Sequence, residues 1–252
     1  MYVLEAKNVG ITFGGLRAVD NFNIKIGKNE LVGLIGPNGA GKTTIFNMLT
    51  GVYVPTDGDV IINGKKINGM KASKVCNLGA SRTFQNIRLF NNLSVRDNIK
   101  IAIKGTFTYN TLDAVFRTKK YYLEESKANE KVKELLSIFN MENEIDNLAK
   151  NLPYGKQRKL EICRALATNA SIILFDEPAA GMNPQETLEL MNVINLIREK
   201  FGVSILLIEH DMNLVMGICE KLVVINYGRT IATGTPAEVK ANKEVIKAYL
   251  GD

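Results

Sequence analysis

The sequence predicts an α/β fold whose main sheet is parallel and covered by helices on both faces. Three apolar runs carry this prediction, Leu31–Ile35, Ser171–Phe175 and Val203–Ile208. The last two each follow a helix-like stretch, and uninterrupted apolar runs are typical of strands that are buried on both faces. A further run, Leu222–Asn226, precedes a Tyr-Gly turn and adds another strand. A chain of 252 residues accommodates one sizeable domain, or a domain with a subdomain.

The beginning of the chain has a different pattern, which predicts antiparallel strands. Apolar and polar residues alternate there, and glycines and Asp20-Asn21 punctuate the alternation. A later segment of the same kind ends in the turn Asn63-Gly64. The predicted strands are Val3–Ala6, Val9–Phe13, Phe22–Ile26 and Val60–Asn63.

The middle of the chain is predicted to be helical. Val95–Ile103 and residues 123–139 place apolar side chains at helical spacing. Between them, residues 105–122 are polar and aromatic, and we expect an insertion that packs against the helices. The sequence therefore predicts an antiparallel β subdomain and an α-helical subdomain beside the α/β core.

One segment has the pattern G-x-x-x-x-G-K-[ST], which is typical of a loop that wraps the phosphates of a nucleotide. The segment consists of Gly36, Pro37, Asn38, Gly39, Ala40, Gly41, Lys42 and Thr43. Its glycines let backbone N–H groups approach an anion, Lys42 can reach the β- and γ-phosphates, and the Thr43 hydroxyl can bind Mg²⁺. A helix predicted over Thr44–Leu49 would point its partial positive charge at the phosphates. The alternative is a glycine turn with an incidental lysine.

Hydrolysis also needs a group that holds the metal and one that aims a water molecule. Asp176 and Glu177 directly follow the apolar strand that ends at Phe175, at the sheet edge where such loops bind ligands. Asp176 suits a Mg²⁺ site, and Glu177 suits a general base. His210, the single histidine, follows the strand Val203–Ile208 and could bond the γ-phosphate. The alternatives are exposed acids that open a turn and a structural histidine.

Two further side chains are weaker candidates. Gln85 lies where the strand pattern gives way to helices, and its amide could contact Mg²⁺ and the attacking water. A surface glutamine is the alternative. Phe13 precedes Gly14-Gly15 and could stack on adenine, although a core phenylalanine is the alternative.

Bulk composition excludes several classes of protein. The chain has no apolar run near the ~18 residues that span a bilayer, and its first residues lack the regions of a signal peptide. The three cysteines are scattered, which predicts neither a disulfide framework nor a zinc site. A cytosolic location is therefore expected. The net charge of +6 leaves nucleic acid, an anionic membrane or polyphosphate open as partners, although no basic arm with interleaved aromatics is present.

In this order the motifs resemble the ATP-binding subunit of an ABC transporter, and the resemblance runs essentially end to end. It implies a P-loop NTPase (RecA-like) core that binds ATP and Mg²⁺ and hydrolyses ATP. The nucleotide contacts would be Phe13 and residues 36–44, including Thr44. Thr43, Gln85 and Asp176 would hold the metal, and Glu177 and His210 would be catalytic. We expect the core in residues 1–87 and 161–252 and the helical subdomain in residues 88–160 of one domain.

The resemblance also places a signature segment, which would reach the γ-phosphate bound by a second ATPase subunit. It comprises Leu152, Pro153, Tyr154, Gly155, Lys156 and Gln157. Only Leu152 and Gly155 keep the usual Leu-Ser-Gly-Gly-Gln, and Pro153 removes both a hydroxyl and an N–H donor. Backbone donors near Gly155 and the charge of Lys156 could serve instead. Asn183 lies in the D-loop, where aspartate is usual.

These departures narrow the resemblance to the importers of branched-chain amino acids. Five segments are similar to that group: Leu-Pro-Tyr-Gly, residues 176–184, residues 81–86 with Arg88-Leu89-Phe90, the insertion over residues 105–122, and the C-terminal tail. The resemblance implies two transmembrane permease subunits, a second ATPase chain of the same or a sister type, an external solute-binding protein and a peripheral place on the cytoplasmic face of the membrane. No nucleic-acid partner is expected.

Three alternatives remain beside this interpretation. A non-transport ABC ATPase could act on nucleic acid or ribosomes. A GTPase would need an Asn-Lys-x-Asp motif, whereas residues 242–245 end in valine. The altered signature leaves open a binding module without turnover.

Overall fold

The computed structural model describes residues 1–103 and 107–250, and the side chain of residue 250 is outside the description. The chain divides into two compact units. The core unit consists of Met1–Gln85 and the described residues from Ala170 onward, and the helical unit is Asn86–Asn169. The sequence predicts boundaries after residues 87 and 160, whereas the two units divide after residues 85 and 169. The helix Tyr154–Ala167 runs through residue 160 without a break. The predicted boundaries stay predictions.

The strands all lie in the core unit, as far as the described residues show. They are β1 Leu4–Phe13, β2 Leu16–Ile26, β3 Leu31–Ile35, β4 Asp57–Ile62, β5 Lys65–Lys66, β6 Ala80–Arg82, β7 Ile172–Asp176, β8 Ser204–Ile208, β9 Lys221–Asn226 and β10 Arg229–Gly234. One sheet has the order β10-β9-β3-β8-β7-β6, and the other has the order β2-β1-β4-β5.

The larger sheet is parallel except for β10, which forms an antiparallel hairpin with β9. Every residue of β3, β7 and β8 is buried, which explains why these strands are apolar throughout. The predicted α/β class with a separate antiparallel sheet is confirmed. The order of the strands places β8 between β3 and β7, so three loops that carry candidate site residues leave the same edge.

The smaller sheet is antiparallel, and β1 pairs with both β2 and β4. The sequence predicts two strands, Val3–Ala6 and Val9–Phe13, where the structure has one strand. Asn8 adopts a left-handed backbone with φ 50°, and the register shifts between Ala6 and Val9. Such a bulge lets one strand continue through a polar interruption that resembles a turn in the sequence.

The core unit also contains helices. They are α1 Lys42–Leu49, α2 Ala72–Asn77, α7 Pro184–Phe201, α8 Met212–Ile218, α9 Pro236–Ala241 and α10 Lys243–Leu250. Two of them, α7 and α8, connect strands of the larger sheet. Helix α1 is confirmed but begins at Lys42, inside the phosphate-loop motif and two residues before the predicted start at Thr44. Its buried Ile45, Phe46 and Leu49 join the hydrophobic core between the sheets, which fixes the loop against the core.

The helical unit contains α3 Val95–Ile103, α4 Thr111–Val115, α5 Lys119–Ile138 and α6 Tyr154–Ala167. Buried apolar residues of α5 and α6, including Val132, Leu135 and Leu160, form its core. The insertion predicted over residues 105–122 lies partly outside the described residues, and its described part contains α4. In the described part of the chain, no helix is both long and apolar enough to cross a bilayer.

Candidate nucleotide site and signature segment

The register of the larger sheet aligns the loops that carry the predicted site residues. Ile208 at the end of β8 is paired with Asp176 of β7 on one side and with Leu34 of β3 on the other. The phosphate-loop motif, the Asp176-Glu177 pair and the segment before His210 therefore begin at one level of the sheet edge. These residues all belong to the core unit.

The phosphate-loop motif runs close to neighbouring backbone, which its glycines permit. Gly36 has φ 155°, and a Cβ there would lie 2.1 Å from the carbonyl oxygen of Ile225. The loop is also fastened from outside, because the N–H of Gly228 donates to the carbonyl of Ala40 at 2.9 Å. Gly228 in turn accepts from the N–H of Asp20 at 2.9 Å. The β9–β10 turn thus ties the loop to β2.

Lys42 is the charged group at the centre of the loop, and only 6% of its surface is exposed. Its Nζ donates to the carbonyl oxygens of Gly36 at 2.7 Å and Pro37 at 3.0 Å. Burial lowers the pKa of Lys42, and the negative charges of Glu177 and Asp176 oppose that shift. The ammonium group is therefore held at the loop by carbonyls and faces two carboxylates.

Glu177 links the candidates that come from three separate segments. Its Oε2 accepts from Nε2 of Gln85 at 2.7 Å, and its Oε1 lies 2.5 Å from Nε2 of His210. The backbone of Glu177 has φ 50°, and its N–H donates to the carbonyl of Ile208 at 2.9 Å. A non-glycine residue in this conformation is strained, and such strain concentrates at functional sites. The structure brings together the three side chains that the sequence selected separately.

Asp176 is buried and forms an ion pair that the sequence did not reveal. Nη2 of Arg82 donates to Oδ2 of Asp176 at 2.6 Å, and Nη1 of the same guanidinium donates to Oδ1 of Asn47 at 2.7 Å. The cation also lies 5.0 Å from the ring centroid of Phe84. A charged residue at the end of the short strand β6 was the available signal. The contact itself follows from the pairing of β6 with β7.

Glu209 is the second residue that sequence reasoning missed. It is buried, its Oε1 accepts from the N–H of Ala179 at 2.7 Å, and its Oε2 accepts from the N–H of His210 at 3.0 Å. Burial raises the pKa of Glu209, and the backbone N–H groups that it accepts from oppose the shift. The carboxylate therefore joins the segment after Glu177 to the segment that carries His210.

The remaining nucleotide candidates lie on the surface of the core unit. Thr43 is exposed and Thr44 is half-buried in the first turn of α1. Phe13 is 44% exposed at the end of β1, and its ring contacts the Tyr53 ring edge-on with centroids 5.3 Å apart. The ring is therefore not buried in the core, which was the alternative interpretation of Phe13.

Asn183 caps a helix. Its side chain accepts from the N–H of Glu186 at 2.9 Å, and the Glu186 carboxylate accepts from the N–H of Asn183 at 2.9 Å. With Pro184 at the first helical position, this is a capping box that starts α7. The amide in place of aspartate is thus sufficient to begin the helix.

The signature segment belongs to the helical unit, where it forms the start of α6. Pro153 occupies the N-cap and makes no side-chain hydrogen bond to the first turn, and that turn contains no acidic residue. Gly155 and Lys156 lie in the turn, and Lys156 is paired through Nζ with Glu144. Nε2 of Gln157 donates to the carbonyl of Leu152 at 2.8 Å. The long side chains thus engage their own unit, whereas the turn retains backbone N–H groups at a positive helix end.

Farther along α6, Arg158 and Glu161 form a buried ion pair at 2.7 Å. The guanidinium also donates to the Tyr154 hydroxyl at 3.3 Å. This pair begins directly after the signature segment and was not predicted. A buried pair of this kind fixes the side chains around it, because separating the charges in a dry environment is costly.

Comparison with known proteins gives a consistent result. Residues 19–180 match the model of the ABC transporter family, and residues 229–252 match that of the branched-chain amino acid ATP-binding cassette transporter. The chain is 43% identical over 250 residues to the high-affinity branched-chain amino acid transport ATP-binding protein BraF of Pseudomonas aeruginosa, covering 99% of this chain and 98% of that protein. It is 40% identical to LivG of Escherichia coli K12, a protein with the same description, at the same coverage.

Among solved structures, the fold is similar to the ADP conformation of an ATP-binding cassette of an ABC transporter. The TM-score is 0.85 at 30% sequence identity, and the match covers 100% of both chains. The resemblance inferred from the motifs and the predicted P-loop NTPase fold are both confirmed. The chain belongs to the ABC transporter family of ATP-binding cassettes.

Proposed function

We propose that this chain is the ATP-hydrolysing subunit of an importer for branched-chain amino acids. The observation that carries the proposal is the contact of Glu177 with Gln85 and His210 beside the phosphate-loop motif. The similarity to BraF and LivG over nearly the whole chain supports the solute class.

ATP binds through the phosphate loop. Residues 36–44 supply backbone N–H groups and the positive end of α1 to the phosphates. Lys42 supplies a charge-assisted contact, which is worth about 1.5–3 kcal/mol for each hydrogen bond. Phe13 stacks on the base, since its ring is exposed at the end of β1.

The chemistry of the remaining side chains fits Mg²⁺. Among the described residues, no group of three or more His, Cys, Asp or Glu side chains could hold a metal ion. Thr43, Gln85 and Asp176 offer a hydroxyl, an amide and a carboxylate, which are the hard oxygen ligands that this ion prefers. The buried Asp176 already holds a cation, the Arg82 guanidinium, which fits a site built for positive charge. A Mg²⁺ ion held by these residues would supply positive charge to the phosphates.

Glu177 then orients the attacking water and accepts its proton. Its carboxylate has one oxygen toward Gln85 and one toward His210. His210 holds the carboxylate in place and bonds the γ-phosphate. Lys42 stabilises the charge that develops on the transferred group.

Hydrolysis requires a second ATPase chain, identical or sister, whose signature segment approaches the γ-phosphate. The first turn of α6, around Gly155, offers backbone donors and a positive helix end to that anion. A triphosphate is thus held from both sides, whereas a diphosphate is held from one. ATP therefore closes the pair, and hydrolysis reopens it.

The complex contains two permease subunits and receives its solute from an external binding protein. The chain is placed at the cytoplasmic face of the membrane as a peripheral subunit. In this arrangement the ATPase never touches the amino acid, so solute specificity belongs to the other subunits.

Reconstitution tests the proposal directly. The chain is assembled with its permease subunits and binding protein in proteoliposomes, and uptake of labelled leucine is measured with and without ATP. We expect leucine uptake and leucine-stimulated phosphate release. Lysine serves as the control solute. ATPase activity that responds to nucleic acid or ribosomes, without leucine uptake, would contradict the proposal.

A further inference from the structure

The helical unit carries an apolar surface that its own core leaves uncovered. Helix α4 has no buried residue, and Leu112, Val115 and Phe116 are 66%, 68% and 75% exposed. They occupy positions i, i+3 and i+4 and therefore share one face of the helix. Near the start of α5, Tyr122 and Leu123 are 57% and 56% exposed. We call these five side chains the α4 patch.

Basic residues border the α4 patch. Arg117, Lys119 and Lys120 lie between its two parts, and all three are exposed. Residues 107–123 contain these three bases and one acid, Asp113, which gives a net charge of +2. Basic side chains beside exposed apolar and aromatic residues are the combination found in segments that lie in the interface of an anionic membrane.

The acidic residues of this region are bound within the helical unit. Asp113, Glu124 and Glu125 are only half-exposed, and each binds a partner within the unit. Those partners are, in turn, Thr118, Thr108 and Lys100.

Lys120 lies near two of these carboxylates. Hydrogen bonds lower the pKa of Asp113 and Glu124, and the charge of Lys120 lowers it further. The charge of Lys120 is therefore partly offset, and Arg117 and Lys119 supply the remaining positive charge of the rim.

We propose that the α4 patch and its basic rim rest on the surface of an anionic lipid bilayer. The apolar side chains enter the boundary between headgroups and acyl chains, and Arg117, Lys119 and Lys120 contact the phosphate groups. This contact is separate from the nucleotide site. Through this contact the ATPase binds the membrane directly, in addition to its binding to permease subunits.

An anionic lipid surface is favoured over a protein partner by the form of the segment. Three of the apolar side chains lie on or directly after a helix of five residues, and exposed basic residues follow that helix in the chain. Lipid requires charge and apolar area but no matching groove. The ring of Tyr122 is amphipathic, and tyrosine rings are enriched at the depth of the lipid headgroups.

The test measures binding of the purified chain, without membrane subunits, to sedimented vesicles. Vesicles of phosphatidylglycerol mixed with phosphatidylcholine are compared with phosphatidylcholine alone, at low and high salt. We expect binding to the anionic vesicles only, and weaker binding at high salt. Removing two charges with Arg117→Gln and Lys119→Gln should weaken binding roughly 25-fold, at about fivefold for each charge. Val115→Ser with Phe116→Ser should weaken binding more than tenfold.

Matched controls change the same residue types elsewhere. Lys28→Gln with Lys65→Gln removes two exposed charges of the core unit, and Leu188→Ser with Leu196→Ser removes two exposed leucines of α7. Both controls should bind vesicles as the wild type does. The ATPase activity of every variant is measured in solution, so failure of the nucleotide site is distinguished from loss of lipid binding.

Two results would overturn the proposal. One is a wild-type chain that does not bind anionic vesicles. The other is binding that the α4-patch variants and their controls reduce equally. The wild type could fail to bind vesicles while the α4-patch variants assemble poorly with permease subunits. In that case the surface binds a protein partner, and the lipid proposal is wrong.

Discussion

The nucleotide site of the core unit and the signature segment of the helical unit use opposite strategies. In the core unit, charged side chains contact other groups of the site. Lys42 donates to loop carbonyls, Asp176 pairs with Arg82, and Glu177 contacts Gln85 and His210. In the helical unit, the side chains of the signature segment turn to their own unit, and Pro153 leaves the start of α6 without a side-chain cap.

This difference explains how the altered signature segment can still bind a phosphate. A binding site built from side chains is lost when those side chains change. A site built from the N–H groups and dipole of a helix end survives substitutions that keep the helix, and Pro and Tyr at residues 153 and 154 keep it. We therefore expect substitutions in the core unit to affect binding and chemistry separately, and substitutions at α6 to affect only steps that need the second chain.

The largest effect is expected for Glu177→Gln. The amide keeps the size of the side chain but cannot accept a proton, so hydrolysis should fall roughly 10³-fold while ATP binding is retained. Because ATP then persists, the variant should accumulate as a dimer. Phosphate release, nucleotide binding and light scattering measure the three quantities.

Glu199→Gln is the matched control, because Glu199 is exposed on α7. It should hydrolyse ATP at the wild-type rate. Near-normal turnover in Glu177→Gln would remove Glu177 from its proposed role and leave the core site without a base.

The next effect is expected for Lys42→Ala, which tests binding in the core unit alone. Loss of one charge-assisted contact of about 1.5–3 kcal/mol corresponds to a roughly 10- to 150-fold weaker affinity for ATP. Equilibrium binding of a fluorescent ATP analogue is the measurement, with Lys28→Ala, at an exposed lysine, as the control. An unchanged affinity in Lys42→Ala would contradict the assignment of the phosphate loop.

Gly155→Glu tests the helical unit. A carboxylate in the first turn of α6 favours the helix but repels an approaching phosphate, so a loss of activity cannot be attributed to melting of the helix. We expect hydrolysis to fall about tenfold or more, while a single chain binds ATP as before. Gly155→Ala, which adds a methyl group without charge, separates repulsion from crowding. If the two variants lose hydrolysis equally, the charge is not responsible.

The sequence was sufficient for the parts of the molecule that depend on local pattern. Uninterrupted apolar runs predicted β3, β7 and β8, and the glycine-lysine motif predicted the loop between β3 and α1. Helix α4 was missed among polar and aromatic residues, although Asn110 and Asp113 have the spacing of a capping box and form one. The spacing of these two residues is therefore a local signal for the start of α4.

Other features could not be predicted, because they depend on which strands are neighbours. Arg82 pairs with Asp176 because β6 lies beside β7, and no local pattern reveals this order. The joining of Ala179 and His210 by Glu209 likewise needs β7 beside β8. Sequence reasoning therefore identified the groups proposed for the chemistry more readily than the groups that hold them in place.

Glu209→Gln measures how much such a holding group contributes, and its expected effect is the smallest. A glutamine has one carbonyl oxygen, so it cannot accept from both Ala179 and His210 as the carboxylate does. The two segments should move slightly apart, and ATP hydrolysis should fall a few-fold, because only part of the energy of the lost hydrogen bond affects the position of His210. The affinity for ATP should not change, and Glu220→Gln, at an exposed carboxylate, is the control.

The pH dependence of stability gives an independent test of the same residue. Because burial raises the pKa of Glu209 above the ordinary value of 4.5, its charge costs folding free energy at neutral pH, and acid relieves that cost. As the pH falls from the raised pKa toward 4.5, the wild type should gain stability relative to Glu209→Gln, which does not titrate. Thermal unfolding of both proteins at pH 7 and pH 5 checks the sign. A difference that stays constant between these pH values would show that Glu209 has an ordinary pKa, and the buried carboxylate would then contribute through its hydrogen bonds alone.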